Sequence, residues 1–191
     1  MPIFFFLDFL TRINHFMIGN IRICKGNMLK IVVSPMLVMK DNIISNIVGA
    51  TNIVRIGSKN LQDTILIGEG AGRYPTANSV VNDIMSLVLH KSYINNVTKR
   101  DLIVESNWSS TFYIRFRASD RIGLVGIIGH LCEKNNISIN SLQQLPFDNP
   151  NNLVFIVLTE TCKIKNIENL KVDIRKTKIL LEDIFYMPLL E

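Results

Sequence analysis

Residues 112–145 read FYIRFRASDRIGLVGIIGHLCEKNNISINSLQQL. FYIRFRA (112–118) alternates strictly, with Phe112, Ile114 and Phe116 on one side, the pattern of a half-buried strand. LVGIIGHLCEKN carries Leu124, Ile127, Ile128 and Leu131 at steps of three and four, the stripe of an amphipathic helix. Asn136 tolerates the left-handed conformation that ends such a helix. ISINSLQQL (137–145) reads as a second strand. After the turn-rich PFDNPNN, NLVFIVLTE (152–160) reads as a third. A helix over Lys165–Lys178 and a strand over Phe185–Leu190 follow.

The resulting order, βαββαβ, is that of a ferredoxin-like sandwich. Upstream the pattern differs. LDFLTRINHFMI (7–18) reads as a helix, then IRIC and MLKIVVSPMLV as strands joined at Gly26-Asn27. Residues 43–56 (IISNIVGATNIVRI) and TILIG (64–68) read as further strands. PTANSVVNDIMSLVLH reads as a helix with Val80, Val81, Ile84, Leu87 and Val88 on its apolar stripe and Pro75 at its first position. Residues 93–110 are polar and weakly periodic, as a connector would be. The expected organisation is α+β: a sheet-and-helix segment over 1–92, a linker over 93–110 and the βαββαβ unit over 111–191.

Composition narrows the function classes. Of 191 residues, 48% are apolar and 19% charged, enough for a sizeable core. The net charge of +5 comes mainly from residues 1–91, and no basic run or aromatic-interleaved basic strip occurs, which argues against nucleic acid. Cys24, Cys132 and Cys162 form no CxxC pair, so a reducing, cytoplasmic compartment fits better than a disulfide framework or thiolate zinc site. His15, His90 and His130 are scattered, and no metal site is expected. The opening MPIFFFLDFL has no basic residue before its apolar run and is broken by Asp8, so neither a signal nor a membrane span is expected.

Gly68-Glu69-Gly70-Ala71-Gly72 lies between a strand and a helix. Glycines there permit positive φ and close backbone approach to a ligand, and the following helix start offers free N–H groups to an anion or carbonyl. The same glycines also suit a tight turn made only for packing. GEGAGRYP lacks the third glycine of a dinucleotide fingerprint, and no acidic residue follows at the end of a second strand.

GEGAGRYPTANSVVNDIMSL (68–87) resembles the GxGAGxxPTA segment near the end of the homoserine dehydrogenase catalytic domain. VVSPMLVMKDNIISNIVGATNIVRI, before it, is similar to the same family. SDRIGLVGIIGHLCEKNNISINSLQQ is similar to the ACT domain that follows in many of these enzymes. The family transfers a hydride between NADP or NAD and the aspartate semialdehyde–homoserine pair, on the route to threonine and methionine. The resemblance implies cofactor contact at Gly72, with Gly70, Ala71 and Thr76 shaping the turn. It gives no role to Arg73 or Tyr74 and leaves Glu69 in solvent.

In the ACT-like segment, the resemblance implies effector contacts at Asp120, Arg121, Gly123 and Ser138, with threonine the suspected effector. Asp120 can also cap the helix or accept an ammonium. The family's usual proline is Ile122 here. The family's Rossmann glycine motif, catalytic lysine and acidic substrate-binding residues have no counterpart in this sequence. Lys25, Lys30 and Lys40 match none of them, so no catalytic residue is assigned and the polypeptide alone is expected to be inactive. A homodimer, or association with a separate Rossmann half, is the expected assembly. The alternative is a non-catalytic ACT module that binds an amino acid or pairs subunits.

Overall fold

The computed structural model describes residues 13–23, 27–57, 60, 62–89, 101–145 and 153–190. The chain divides into two compact units, Met1–Lys40 with Asp101–Glu191, and Asp41–Arg100.

The larger unit contains the βαββαβ order. Strand β7 (Phe112–Ala118), helix α2 (Leu124–Lys134), strands β8 (Ile139–Leu145) and β9 (Leu153–Thr159), helix α3 (Ile164–Lys176) and strand β11 (Phe185–Pro188) follow in turn. Their antiparallel sheet has the order β11-β7-β9-β8. Phe112, Ile114 and Phe116 are fully buried, and they share one core with Leu124, Ile128 and Leu131 of α2 and Ile167, Leu170 and Ile174 of α3. That is the alternation and the stripe read from the sequence. Asn136 adopts φ 53°, closing α2. Strand β9 is buried along its whole length, as a central strand flanked on both edges must be. Its Val154, Ile156 and Leu158 face away from the helices, beside Tyr113 and Leu145. On that face Arg115 Nε, Ser141 Oγ and Gln143 Oε1 are buried without partners, Arg115 and Gln143 in one row on either side of Ile156.

Strands β1 (Ile13–Ile23) and β2 (Met28–Met39) pair antiparallel, residue for residue, from Ile13↔Met39 to Ile23↔Leu29. Residues 13–18 are therefore strand, against the helix expected over 7–18, of which 7–12 lie outside the described residues. The exposed face of this ladder is as apolar as an interior: Met17, Ile21 and Val33 are all open to solvent. Without polar alternation the period-two signal vanishes, and apolar spacing alone mimics a helix. Strand β5 (Ile103–Val104) joins β2 in parallel, and β6 (Ser109–Ser110) pairs with β10 (Cys162–Lys163), so the stretch read as a connector carries two short strands. The chain's end also holds β2: Leu189 bridges Leu37, and Leu190 N–H donates to Leu37 O at 2.8 Å.

The smaller unit is a hairpin and a helix. Strands β3 (Thr51–Ile56) and β4 (Thr64–Glu69) pair antiparallel, and helix α1 runs Arg73–Val88. Ile43–Asn46, expected as strand, is a 3-10 turn whose start is fixed by Asn42, its side chain accepting from Ile44 N–H at 3.0 Å. Pro75 is the third residue of α1, not the first. Its missing N–H is still harmless there, because the first four amides of a helix have no partner within it. Among the described residues of 41–89 no apolar side chain belongs to the buried core, and the stripe Val80, Val81, Ile84, Leu87, Val88 is exposed throughout.

Candidate functional site

The glycine turn joins β4 to α1. Gly70 N–H donates to Ala50 O at 2.9 Å, extending the hairpin ladder one step beyond Thr51↔Glu69. A side chain at Gly70 would run into the carboxamide of Asn52, which lies over the glycine. Gly72 caps α1 at φ 128° and ψ 162°, a conformation open essentially to glycine alone. Thr76 N–H returns to Gly72 O at 3.2 Å, and Ser79 Oγ donates to Pro75 O at 3.0 Å. Gly70, Ala71, Gly72 and Thr76 thus occupy one continuous turn, and Glu69 is exposed as expected. The Arg73 guanidinium stands over the Tyr74 ring at 5.8 Å. Asn52 is the residue that sequence reading missed. Its only signal was position, since it pairs with Gly68 at the mouth of the hairpin.

The second set of site residues lies in the larger unit. Ser119, Asp120 and Arg121 are exposed at the end of β7, and Gly123 caps α2 at φ 85°. No side chain bonds the start of α2, so the cap is the left-handed glycine, not Asp120. Ile122 projects fully into solvent. Ser138 is elsewhere. Its carbonyl accepts from Glu160 N–H at 2.8 Å beside the start of β8, next to Ile139↔Thr159. Ala118, by contrast, pairs with Leu153 at the other end of β9. Leu153 and Thr159 are six residue steps apart along β9, about 20 Å at ~3.3 Å per residue. Within one chain the structure joins Asp120, Arg121 and Gly123 but leaves Ser138 at the opposite end of the sheet.

Burial pushes the Cys132 thiol up to about 11, with the Cys162 sulfur adding to the effect. Burial raises Cys162 too, partly offset by the Thr159 hydroxyl. Both are free, buried thiols rather than poised nucleophiles. Among the described residues no group of His, Cys, Asp or Glu is placed to hold a metal ion, and no helix is long and apolar enough to cross a membrane.

Residues 12–85 match the sequence model of the homoserine dehydrogenase family. Homoserine dehydrogenase of Neisseria gonorrhoeae is 27% identical over 156 residues, covering 75% of this chain and 36% of that protein. The Helicobacter pylori enzyme is 26% identical over 141 residues, covering 72% and 34%. The crystal structure of a homoserine dehydrogenase from Thiobacillus denitrificans superposes with a TM-score of 0.80 at 23% identity, covering 95% of this chain and 43% of that one. The Staphylococcus aureus enzyme superposes at 0.58. Strand, glycine turn and helix, followed along the chain by a two-layer sandwich, give an α+β fold shared with these structures. More narrowly, the chain is similar to homoserine dehydrogenases, and it spans about a third of the length of the curated relatives it matches.

Proposed function

We propose that this chain supplies the C-terminal part of the catalytic unit of a homoserine dehydrogenase, together with an ACT regulatory domain. The reaction is the NADP- or NAD-dependent interconversion of L-aspartate 4-semialdehyde and L-homoserine, in the cytoplasm, on the route to threonine, methionine and isoleucine. The observation that carries this reading is Gly72, held in a glycine-only conformation inside the family-matched segment. With no Cβ at 70 or 72 and an exposed backbone between them, the turn fits a flat ligand wall, such as the nicotinamide end of the cofactor. The cofactor supplies the hydride. This chain's Gly70–Gly72 backbone would line one side of the ring and exclude water there, with Thr76 and Asn52 holding the turn's shape.

Hydride transfer also needs the carbonyl held at near contact and a proton donor for the forming alkoxide. None of the described residues around the glycine turn offers a buried acid or a lysine. The 191-residue polypeptide alone therefore does not turn over, and a separate nucleotide-binding half restores activity. NADPH oxidation by purified chain with aspartate semialdehyde tests this: no rate alone and a rate on adding that half are expected, and turnover by the chain alone overturns it.

The sheet's open edge supports a reading of the regulatory site. Strand β2 covers the β11 side, while among the described residues no strand pairs with the outer edge of β8. Two copies joined antiparallel along β8 would set one copy's Ser138 end beside the other's Leu145 end, near its Asp120–Gly123 turn. We therefore read the effector site as shared across a homodimer, with the turn's N–H groups taking the carboxylate of threonine. A second reading, an ACT module without catalysis, is favoured by the larger unit holding a complete core of its own. Threonine binding by calorimetry, with no activity even after the nucleotide-binding half is added, selects that reading.

A further inference from the structure

A cleft of about 380 Å³ lies between residues 31–35 of β2 and 185–188 of β11, walled by Trp108, Ile164 and Tyr186. A smaller hollow of about 60 Å³ adjoins it, sharing Val32 and Trp108 and adding Lys30, Asn20 and Ser109. The main cleft falls in the size range of small-molecule sites, which are mostly apolar with a few placed polar groups. Its central wall is rigid. The Trp108 ring packs on the fully buried Phe112 at 5.6 Å, and Trp108 O accepts from Ile164 N–H at 2.8 Å.

Three donors stand along the two hollows, Trp108 and Tyr186 in the cleft and Lys30 in the smaller one. The Trp108 indole N–H and the Tyr186 hydroxyl meet no acceptor among the described residues, and the Lys30 ammonium meets no carboxylate. Indole and ammonium can only donate. Burial, helped by the Glu168 charge, raises the Tyr186 phenol, so it keeps its proton at neutral pH. No Asp or Glu lines either hollow.

We propose that this cleft binds a small organic carboxylate with a compact apolar body, the body against Trp108 and Tyr186 and the carboxylate toward Lys30. The cleft shares no residue with the glycine turn or the Asp120 turn, and it rests on neither of their proposed roles.

The chain has one tryptophan, so its emission reports occupancy directly. The full chain is titrated with 3-phenylpropionate and with its uncharged amide. A saturable change is expected with the acid, and roughly ten-fold weaker binding with the amide, the size of effect that loss of a charge-assisted hydrogen bond brings. Lys30→Gln should weaken the acid roughly ten-fold and leave the amide unchanged. Val33→Glu, at a side chain 72% exposed on the cleft rim, keeps the fold and should also weaken only the acid. No saturable change, equal affinity for acid and amide, or insensitivity to both substitutions overturns the proposal.

Discussion

At Gly72 backbone conformation and proposed chemistry coincide. At φ 128° and ψ 162° a β-carbon meets its own backbone, at a cost of about 1–3 kcal/mol. The space around it is not the obstacle, since the nearest atom to an added Cβ is Pro75 Cδ at 3.5 Å. Gly72→Ala should therefore act by strain and be felt where the turn hands over to α1. Hydrogen exchange should show Thr76, whose N–H returns to Gly72 O, and the next amides of α1 losing protection, while β7 and β9 in the other unit keep theirs. Equal exchange in variant and parent would remove the argument. Gly70 is constrained differently, by the Asn52 carboxamide lying over it rather than by its own dihedrals. The sequence showed that glycines were needed here, but not why. Positive φ at one and a side chain's presence over the other are both long-range outcomes of the hairpin, and neither leaves a mark in a short GxGxG.

Between elements, the clearest electrostatic link is Asp173 on α3. It takes Lys134 Nζ from the end of α2 and Lys176 Nζ from its own helix, each at 2.8 Å. These two hydrogen bonds hold its carboxyl well below the usual carboxylate range. A carboxylate depressed in the folded state stabilises above its unfolded pKa, near 4, and the benefit fades as pH falls toward the folded value. Asp173→Asn should thus lower the melting temperature at pH 7 and converge on the parent in acid. A gap that stays constant down to pH 2 would assign the effect to packing. The elements themselves differed in legibility for a physical reason. β7, α2 and α3 were readable because each buries one face and wets the other. β1 was not, because apolar Met17 and Ile18 fall on opposite faces and the period that distinguishes strand from helix is blurred. The 3-10 turn at Ile43–Asn46 was hidden likewise, its run of Ile concealing the Asn42 cap. The glycine turn and the Asp120 turn were legible as segments, but the placement of Ser138 at the far end of the sheet depends on strand order, which one-dimensional pattern does not carry.

At the scale of the molecule, the two units are unequal. The larger has a closed core; the described residues of the smaller have none. Val54 and Leu66 of the hairpin, and Ile84, Met85, Leu87 and Val88 of α1, are all at least half exposed. Burying one such side chain is worth about 1.5–3 kcal/mol, so leaving this many in water creates a strong drive toward any apolar cover. In a longer homologue that cover would come from the rest of the catalytic unit. For the 191 residues by themselves, the available cover is another copy. The purified chain should sediment as associated species whose size grows with concentration. Ile84→Glu with Val88→Lys, one turn apart on α1, places an i, i+4 acid–base pair on the apolar stripe and should keep the helix while reducing association. Circular dichroism then remains unchanged as the sedimentation coefficient falls. If the parent chain sediments as a monomer at every concentration, α1 is covered from within the chain. If the double variant associates as strongly as the parent, the contact lies on another face, with the open face of the β1–β2 ladder the next to mutate.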